Sequence, residues 1–280
     1  MAKKAHHPAA PGQFTPPTTD QVGYLHGSEA LAGFGSRSFY VAQLPRAEAN
    51  QMIIANHYSG RIVNNSYIHL GVWIGGVLRG ALQFGYALNP VAGAQKFVAG
   101  TQVDQYLELN RMWLDDVAPR NSESRALSYA FKFIKRACPR VAWVQSFADE
   151  RCGGWGVVYQ AANFLYLGHH RTSFYELDGQ AYHPMLLTAH KKSGQRGQYL
   201  RANKHRAIKR SLLQFRYIYL IKPSWRARFK KAPLPFPKPG QALPSRRGIR
   251  GRLTADAVNL GSGARHVDVE KRCRLDTAGH

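Results

Sequence analysis

The chain has 280 residues, with 39 Lys and Arg against 16 Asp and Glu, a formal charge of +23, and 44% apolar residues. That apolar share excludes disorder of the whole chain and suffices for one core of roughly 150 to 200 residues. The charge is uneven: residues 1–190 hold 16 basic and 12 acidic side chains (+4), while residues 191–280 hold 23 and 4 (+19), so a near-neutral globule precedes a cationic third. No apolar run approaches the ~18 residues of a bilayer span, and Met1 to Thr19 lacks the apolar segment of a secretory signal. The expectation is a soluble, cytoplasmic protein with no membrane partner. Cys138, Cys152 and Cys273 are too scattered for a disulfide framework or a zinc site, and read as buried or incidental thiols.

Residues 1–35, rich in Pro, Gly, Ala and Thr, read as a flexible leader. Ala47 to Tyr58 follows Pro45 with apolar residues at Ala49, Met52 and Ile53, a short amphipathic helix running into a Gly60 turn. Between Tyr67 and Tyr86 two alternating runs flank Gly75-Gly76, a dipeptide that accepts the positive φ of a tight turn, and predict an antiparallel hairpin. Residues 87–103 read as a loop, and Tyr106 to Leu114 as a third strand. Next, Asn121 or Ser122 is placed to cap a helix whose apolar face is Leu127, Ala130, Phe131 and Ile134, stopped by Pro139. A strand over 141–149 ends on Asp149. A glycine-rich turn leads to a short helix, Val157 to Phe164, and LYLGHH, TSFYEL and HPMLLT read as further β runs.

After Gln195 a basic helix is expected, leading to a strand at Phe215 to Ile221, with a basic, Pro-rich, disordered remainder. The order implies an α/β (α+β) domain with a mixed central sheet and flanking helices over residues 36–225, followed by a tail over 226–280.

Three constellations carry possible chemistry. The strand-to-helix junction LELNRMWLDDVAPRNSESRAL sets helix N-terminal amides beside Arg120 and Arg125, a cradle for an anion, although an ordinary capped helix has the same pattern. His57, Tyr58, Asp149 and Tyr159 lie at element ends, and Asp149 closes a strand at its carboxyl end, where open α/β sheets place their crevices. Imidazole, carboxylate and phenolate suit iron better than zinc, but the same types serve as a metal-free acid and base, or as surface and packing residues. Finally, Lys204, Arg206, Lys209 and Arg210, placed on the expected helix, adjoin Phe215, Tyr217, Tyr219 and Trp225, a mixture suited to phosphate contacts and base stacking.

At ELNRMWLDDVAPRNSESRAL, VQSFADERCGGWGVVYQAANFLYLG and NHYSG the chain resembles the Mom family of phage DNA-modification proteins, over roughly residues 38–221. The resemblance implies a fold like that of the Gcn5-related N-acetyltransferases (GNAT). It also implies carbamoylmethyl modification of adenine N6 in double-stranded DNA, which shields phage DNA from restriction. It assigns His57, Tyr58, Asp149 and Tyr159 to a catalytic, iron-binding set, and Arg111 and Ser124, with Arg120 and Asn121 beside them, to donor binding. The donor is left between acetyl-CoA and an amino-acid-derived molecule, because plain acetyl transfer does not give this product. Adenine N6 is a weak nucleophile inside a stacked helix, so extrusion of the base is expected, with Tyr58, Trp155 or Tyr159 to stack on it. The competing readings are an ordinary acetyltransferase for a protein or small-molecule amine, and a non-catalytic nucleic-acid-binding protein. Oligomeric state is left open, with a homodimer among the options.

Overall fold

The structure, a computed structural model, describes residues 33–36, 38–150, 155–188, 194–238, 240 and 243. Nine strands form one mixed sheet in the order β1-β2-β3-β4-β5-β6-β9-β7-β8. They are β1 (Gly33–Ser36), β2 (Phe39–Gln43), β3 (Ser66–Ile74), β4 (Val77–Gly85), β5 (Tyr106–Leu114), β6 (Trp143–Asp149), β7 (Leu165–Leu177), β8 (Gln180–Tyr182) and β9 (Ile208–Leu220). Helices α1 (Arg46–Asn56), α2 (Pro90–Phe97), α3 (Ser122–Ala137), α4 (Val157–Ala161), α5 (Met185–Thr188) and α6 (Gln195–Ala202) flank it. This is the mixed α/β sheet with flanking helices that the element order implied.

The hairpin forms as expected because Gly75 and Gly76 take φ of 58° and 80°, which a residue with a Cβ adopts only at a cost. Alternation then separates two faces. Phe39, Val41, Val72, Leu82, Leu107 and Leu109 pack with Leu127, Ala130, Phe131 and Ile134 of α3 in the main core. Their neighbours Tyr40, Ala42, Trp73 and Ala81 point the other way, onto Ala49 and Ile53 of α1. Helices α1 and α3 therefore cover opposite faces of the sheet.

The strands β5 and β6 are the parallel pair, and they hold together only from Tyr106↔Trp143 to Glu108↔Gln145. Beyond that point Leu109–Leu114 bonds only to β4, and Ser146–Asp149 only to β9. The sheet is forked there.

Several expectations are corrected. The strand β1 begins at Gly33, inside the span 1–35 read as leader, and residues 1–32 fall outside the described residues. Residues 87–103 are not all loop: α2 forms because the Asn89 side chain caps the Ala92 amide and Pro90 occupies the first turn, where a missing N–H costs nothing. LYLGHH and TSFYEL are one strand, β7, while Met185–Thr188 of HPMLLT is helical. The basic helix ends at Ala202, and Lys209 and Arg210 lie on β9, not on a helix, because Ile208–Glu176 pairing starts a ladder with β7 that continues to Ile218.

The tail expected from 226 is also shortened. Trp225 is buried, Phe229 bridges Val98, and the Leu234 amide donates to the Tyr166 carbonyl at 2.8 Å while its side chain packs on the main core. The rest of the tail beyond 243 lies outside the described residues, and among those described no helix is long and apolar enough to cross a membrane.

Candidate functional site

The fork concentrates polar side chains on the face opposite α3. Leu107 and Leu109 of β5 point into the main core, so Glu108 points away from it, and the irregularity opposite Gln83/Phe84 turns Arg111 to the same side. On β6, Val144 and Ala148 belong to the core, which leaves Gln145, Phe147 and Asp149 on the Glu108 side. Gln145 Nε2 donates to Glu108 Oε2 at 2.7 Å across the last rung before the strands part.

His57 and Tyr58 reach this side from the end of α1. The His57 amide closes the helix on the Ile53 carbonyl at 3.0 Å, and Ser59 donates its amide to His57 Nδ1 at 3.1 Å, which fixes the ring. The Tyr58 ring leans on the imidazole at 4.3 Å and is 46% exposed, open to a planar ligand. Arg111 secures this loop by donating Nε to the Arg61 carbonyl at 2.9 Å, and Arg61 in turn reaches the Ala181 carbonyl at 2.5 Å and Gln180 Oε1 at 2.7 Å near the far end of the sheet. Arg111 thus serves here as a clamp on the His57–Tyr58 loop.

Burial shapes the charge. The His57 imidazole is pushed down to about 3 by desolvation and then by Arg111, so it is neutral at pH 7. Glu108 moves the opposite way, to about 7, because desolvation outweighs its hydrogen bonds from Gln145 and Asn110 and the attraction of Arg216 and Arg111. A carboxyl group that titrates near neutrality at the apex of the fork is suited to proton transfer, and sequence reading did not single it out.

Asp149 is 7% exposed at the tip of β6, paired across the ladder with Gln214. Tyr159 approaches from the α3 side: its ring packs on Phe164 and Tyr217, and its hydroxyl donates to the Phe147 carbonyl at 3.5 Å. The turn before α4 is held by Gly156, with φ of 74° and a position where a Cβ would lie 2.4 Å from the Tyr217 ring. Trp155 packs toward Phe215 and the core. The four expected catalytic residues thus divide: His57, Tyr58 and Asp149 belong to the fork face, and Tyr159 comes from the layer behind it.

The expected donor-binding set divides as well. Arg120, Asn121 and Ser124 line a cavity of about 730 Å³ at the start of α3, with Phe39, Arg125 and Lys132, whereas Arg111 lies on the other face of the sheet. Asn121 caps nothing with its side chain, because it sits in the left-handed region at φ 67°, and its carbonyl instead accepts from Ser124 Oγ at 3.0 Å. The Ser122 amide donates to the Pro119 carbonyl at 3.1 Å, and the Arg125 amide to the Asn121 carbonyl at 3.1 Å, at the start of α3.

Of the four expected DNA contacts, Arg206 pairs with Asp178 at 2.5 Å and Arg210 with Glu176 at 2.9 Å, while Lys204 and Lys209 are exposed. Among the described residues no group of three or more His, Cys, Asp or Glu side chains is gathered as metal ligands. Cys138 is a buried thiol pushed up to about 12, and the other two cysteines lie outside the described residues.

A family model described as the Mom protein family matches residues 38–238. A curated relative, the methylcarbamoylase Mom of Escherichia phage Mu, is 52% identical over 210 residues, spanning 73% of this chain and 87% of its own length. Among solved structures, a ribosomal-protein-S5-alanine acetyltransferase from Vibrio fischeri is 9% identical and covers 69% of this chain and 98% of that one, with a TM-score of 0.41. An acetyltransferase of the GNAT family from Streptococcus pneumoniae is 10% identical, over 65% of this chain and 98% of its own, with a TM-score of 0.38.

Proposed function

The chain belongs to the Mom protein family, and from that premise we propose that it is a phage DNA-modification transferase that places a carbamoylmethyl-type group on adenine N6 in double-stranded DNA, protecting that DNA from restriction. The observation that carries this reading is the 52% identity to the phage Mu methylcarbamoylase, which extends over most of both chains.

In this reading the fork receives the extruded adenine. Tyr58 offers an exposed ring for stacking, and its loop is fixed by Arg111 and Arg61. The N6 lone pair is delocalised into the ring, so attack on a donor requires positioning and removal of a proton. Glu108, partly ionised at neutral pH, takes that proton, and the buried Asp149 carboxylate orients the amine. Neutral His57 stabilises charge by hydrogen bonding without adding a cation. The cavity beside Arg120, Asn121 and Ser124 holds the anionic part of the donor, acetyl-CoA or an amino-acid derivative. Lys204 and Lys209 hold phosphates of the duplex.

Of the expected donor set, His57, Tyr58 and Asp149 belong to the fork face and suit iron in kind, a neutral imidazole, a phenol and a carboxyl group forming a hard set that favours a ferric ion, while Tyr159 lies in the layer behind with its hydroxyl on the Phe147 carbonyl. Such an ion, when bound, would supply Lewis-acid or one-electron chemistry; with a phenol among its ligands, it would give an absorption band in the visible.

The test is direct. Plasmid DNA from bacteria expressing the protein is digested to nucleosides and analysed by mass spectrometry, beside DNA from cells expressing Asp149→Ala. A new deoxyadenosine, heavier by the added group and missing with the variant, is expected. Unmodified deoxyadenosine from cells holding soluble wild-type protein, with donor and iron supplied, would refute the reading.

A further inference from the structure

Next to Asp149, on the same face of the fork, the cations Arg216 and Lys96 lie with the His170 imidazole and have no established task. The Arg216 guanidinium on β9 sits between two aromatic rings, 4.2 Å from the centroid of Phe97 in α2 and 4.9 Å from that of Phe147 in β6. Its Nε is buried with no hydrogen-bond partner among the described residues. Lys96, adjacent to Phe97 at the end of α2, and His170 on β7, whose ring lies 6.1 Å from Phe147, both feel the positive charge of Arg216. That repulsion, added to burial, depresses the readiness of Lys96 and His170 to carry a proton, while burial pulls Arg216 down to about 10. Glu108, the carboxyl group that raises Arg216, is itself half protonated near neutrality.

Holding like charges together in a partly desolvated place is unfavourable unless an anion joins them. The rings of Phe97 and Phe147 hold the Arg216 guanidinium by cation–π contact while its Nε remains without a partner among the described residues, and a guanidinium grips phosphate oxygens through its N–H groups. Position identifies the anion. Arg216 pairs with Phe147, and Asp149 is two residues further along β6 on the same face, about 7 Å away at strand rise. A phosphate at Arg216 is therefore about one nucleotide from a base presented to Asp149.

We infer that Arg216, together with Lys96 and His170, forms a phosphate-binding site for the DNA phosphodiester that flanks the target adenine. The inference rests on the proposed reading of the fork as the adenine site. It also gives α2 a role, since that helix supplies both Phe97 and Lys96.

The test measures binding of the full-length protein to a short adenine-containing duplex by fluorescence anisotropy across a salt series. Arg216→Gln, Lys96→Gln and, as a surface-charge control on the far side of α3, Lys135→Gln are compared with wild type. Loss of one phosphate contact should weaken binding about five- to tenfold near physiological salt and lower the slope of log K against log salt by about 1. Lys96 is exposed, so its variant tests the site even if Arg216→Gln folds poorly; Arg216→Lys should recover part of the affinity. Unchanged affinity and slope for Lys96→Gln, or a loss no larger than that of Lys135→Gln, would overturn the site. Normal DNA binding combined with lost calorimetric binding of pyrophosphate would assign the cations to the donor, and would also overturn the inference. If wild-type protein leaves deoxyadenosine unmodified but the slope falls in the variants, the proposed reaction fails and the phosphate site stands.

Discussion

The two faces of the central sheet are built from different chemistry. Under α3 the packing is apolar: Phe131 lies over Tyr219 at 3.9 Å and meets Phe84 and Phe164 edge to face, with Leu127, Ala130 and Ile134 beside it. On the opposite face, buried or half-buried His57, His69, Gln83, Glu108, Arg111, Gln145, Asp149 and Arg216 sit among the strands. Desolvating polar groups is costly, and each costs stability unless it is partnered. The α3 face thus supplies the stability that lets the other face hold desolvated polar groups, and the two should respond differently to substitution.

The largest effect is expected on the α3 side. Phe131→Ala removes a ring that contacts three others and should cost about 3–5 kcal/mol of unfolding free energy, read from the urea midpoint. On the other side, Glu108→Gln keeps the volume and a hydrogen-bonding partner for Gln145, so stability should hold or rise. Its turnover should fall about a hundredfold, equivalent to about 2.7 kcal/mol of barrier, in an assay of modified deoxyadenosine per enzyme. A variant that lost stability but kept its turnover would break the division between the faces.

The same face should also reveal itself through pH. The fold keeps Glu108 protonated up to about 7, above the ordinary 4.5 of the unfolded chain. Its contribution to stability is therefore full below pH 4.5 and lost as pH rises through 7. His57 acts in the reverse direction: the unfolded imidazole takes a proton below 6.5 that the fold refuses until about 3, so its contribution is intact above 6.5 and lost as pH falls toward 3. Glu108→Gln should therefore make the urea midpoint rise more steeply with pH between 4.5 and 7 than in wild type. An unchanged pH profile would show that Glu108 does not titrate where the fold places it.

How far the sequence reveals this arrangement depends on the range of the interactions. The hairpin and the strand Tyr106–Leu114 were legible from period-two alternation and the Gly75-Gly76 turn, and α3 from its apolar spacing, because these signals are local. The helix α2 was obscured by Gly and Pro in PVAGAQKF, although Asn89-Pro90 carried a start signal. The basic run after Gly197 reads as a continuing helix through Lys209 and Arg210 because no further Gly or Pro interrupts it; the ladder with β7 decides otherwise. The family resemblance named His57, Tyr58 and Asp149 as candidates, but Glu108 and Arg216 could not be recognised, since one meets Gln145 37 residues away and the other is defined by rings on α2 and β6.

The smallest effects concern the ribbon where Arg171–Glu176 pairs with Ile208–Leu213 beyond the reach of β6. This extension, edged by β8 at Tyr175 and Glu176, carries charges that are not equivalent. Arg210 is paired with Glu176, and both side chains are largely exposed, so breaking the pair should change stability by no more than about 1 kcal/mol. For DNA the carboxylate works against binding: it offsets Arg210 and repels phosphate. Glu176→Gln should therefore tighten binding about two- to threefold at low salt, with the gain shrinking as screening increases. Arg210→Gln, losing a charge already half offset, should weaken binding less than Lys209→Gln. Anisotropy titrations at two salt concentrations rank the three variants; weaker binding by Glu176→Gln would mean that the ion pair orients the ribbon, and that shape rather than charge governs its contact with DNA.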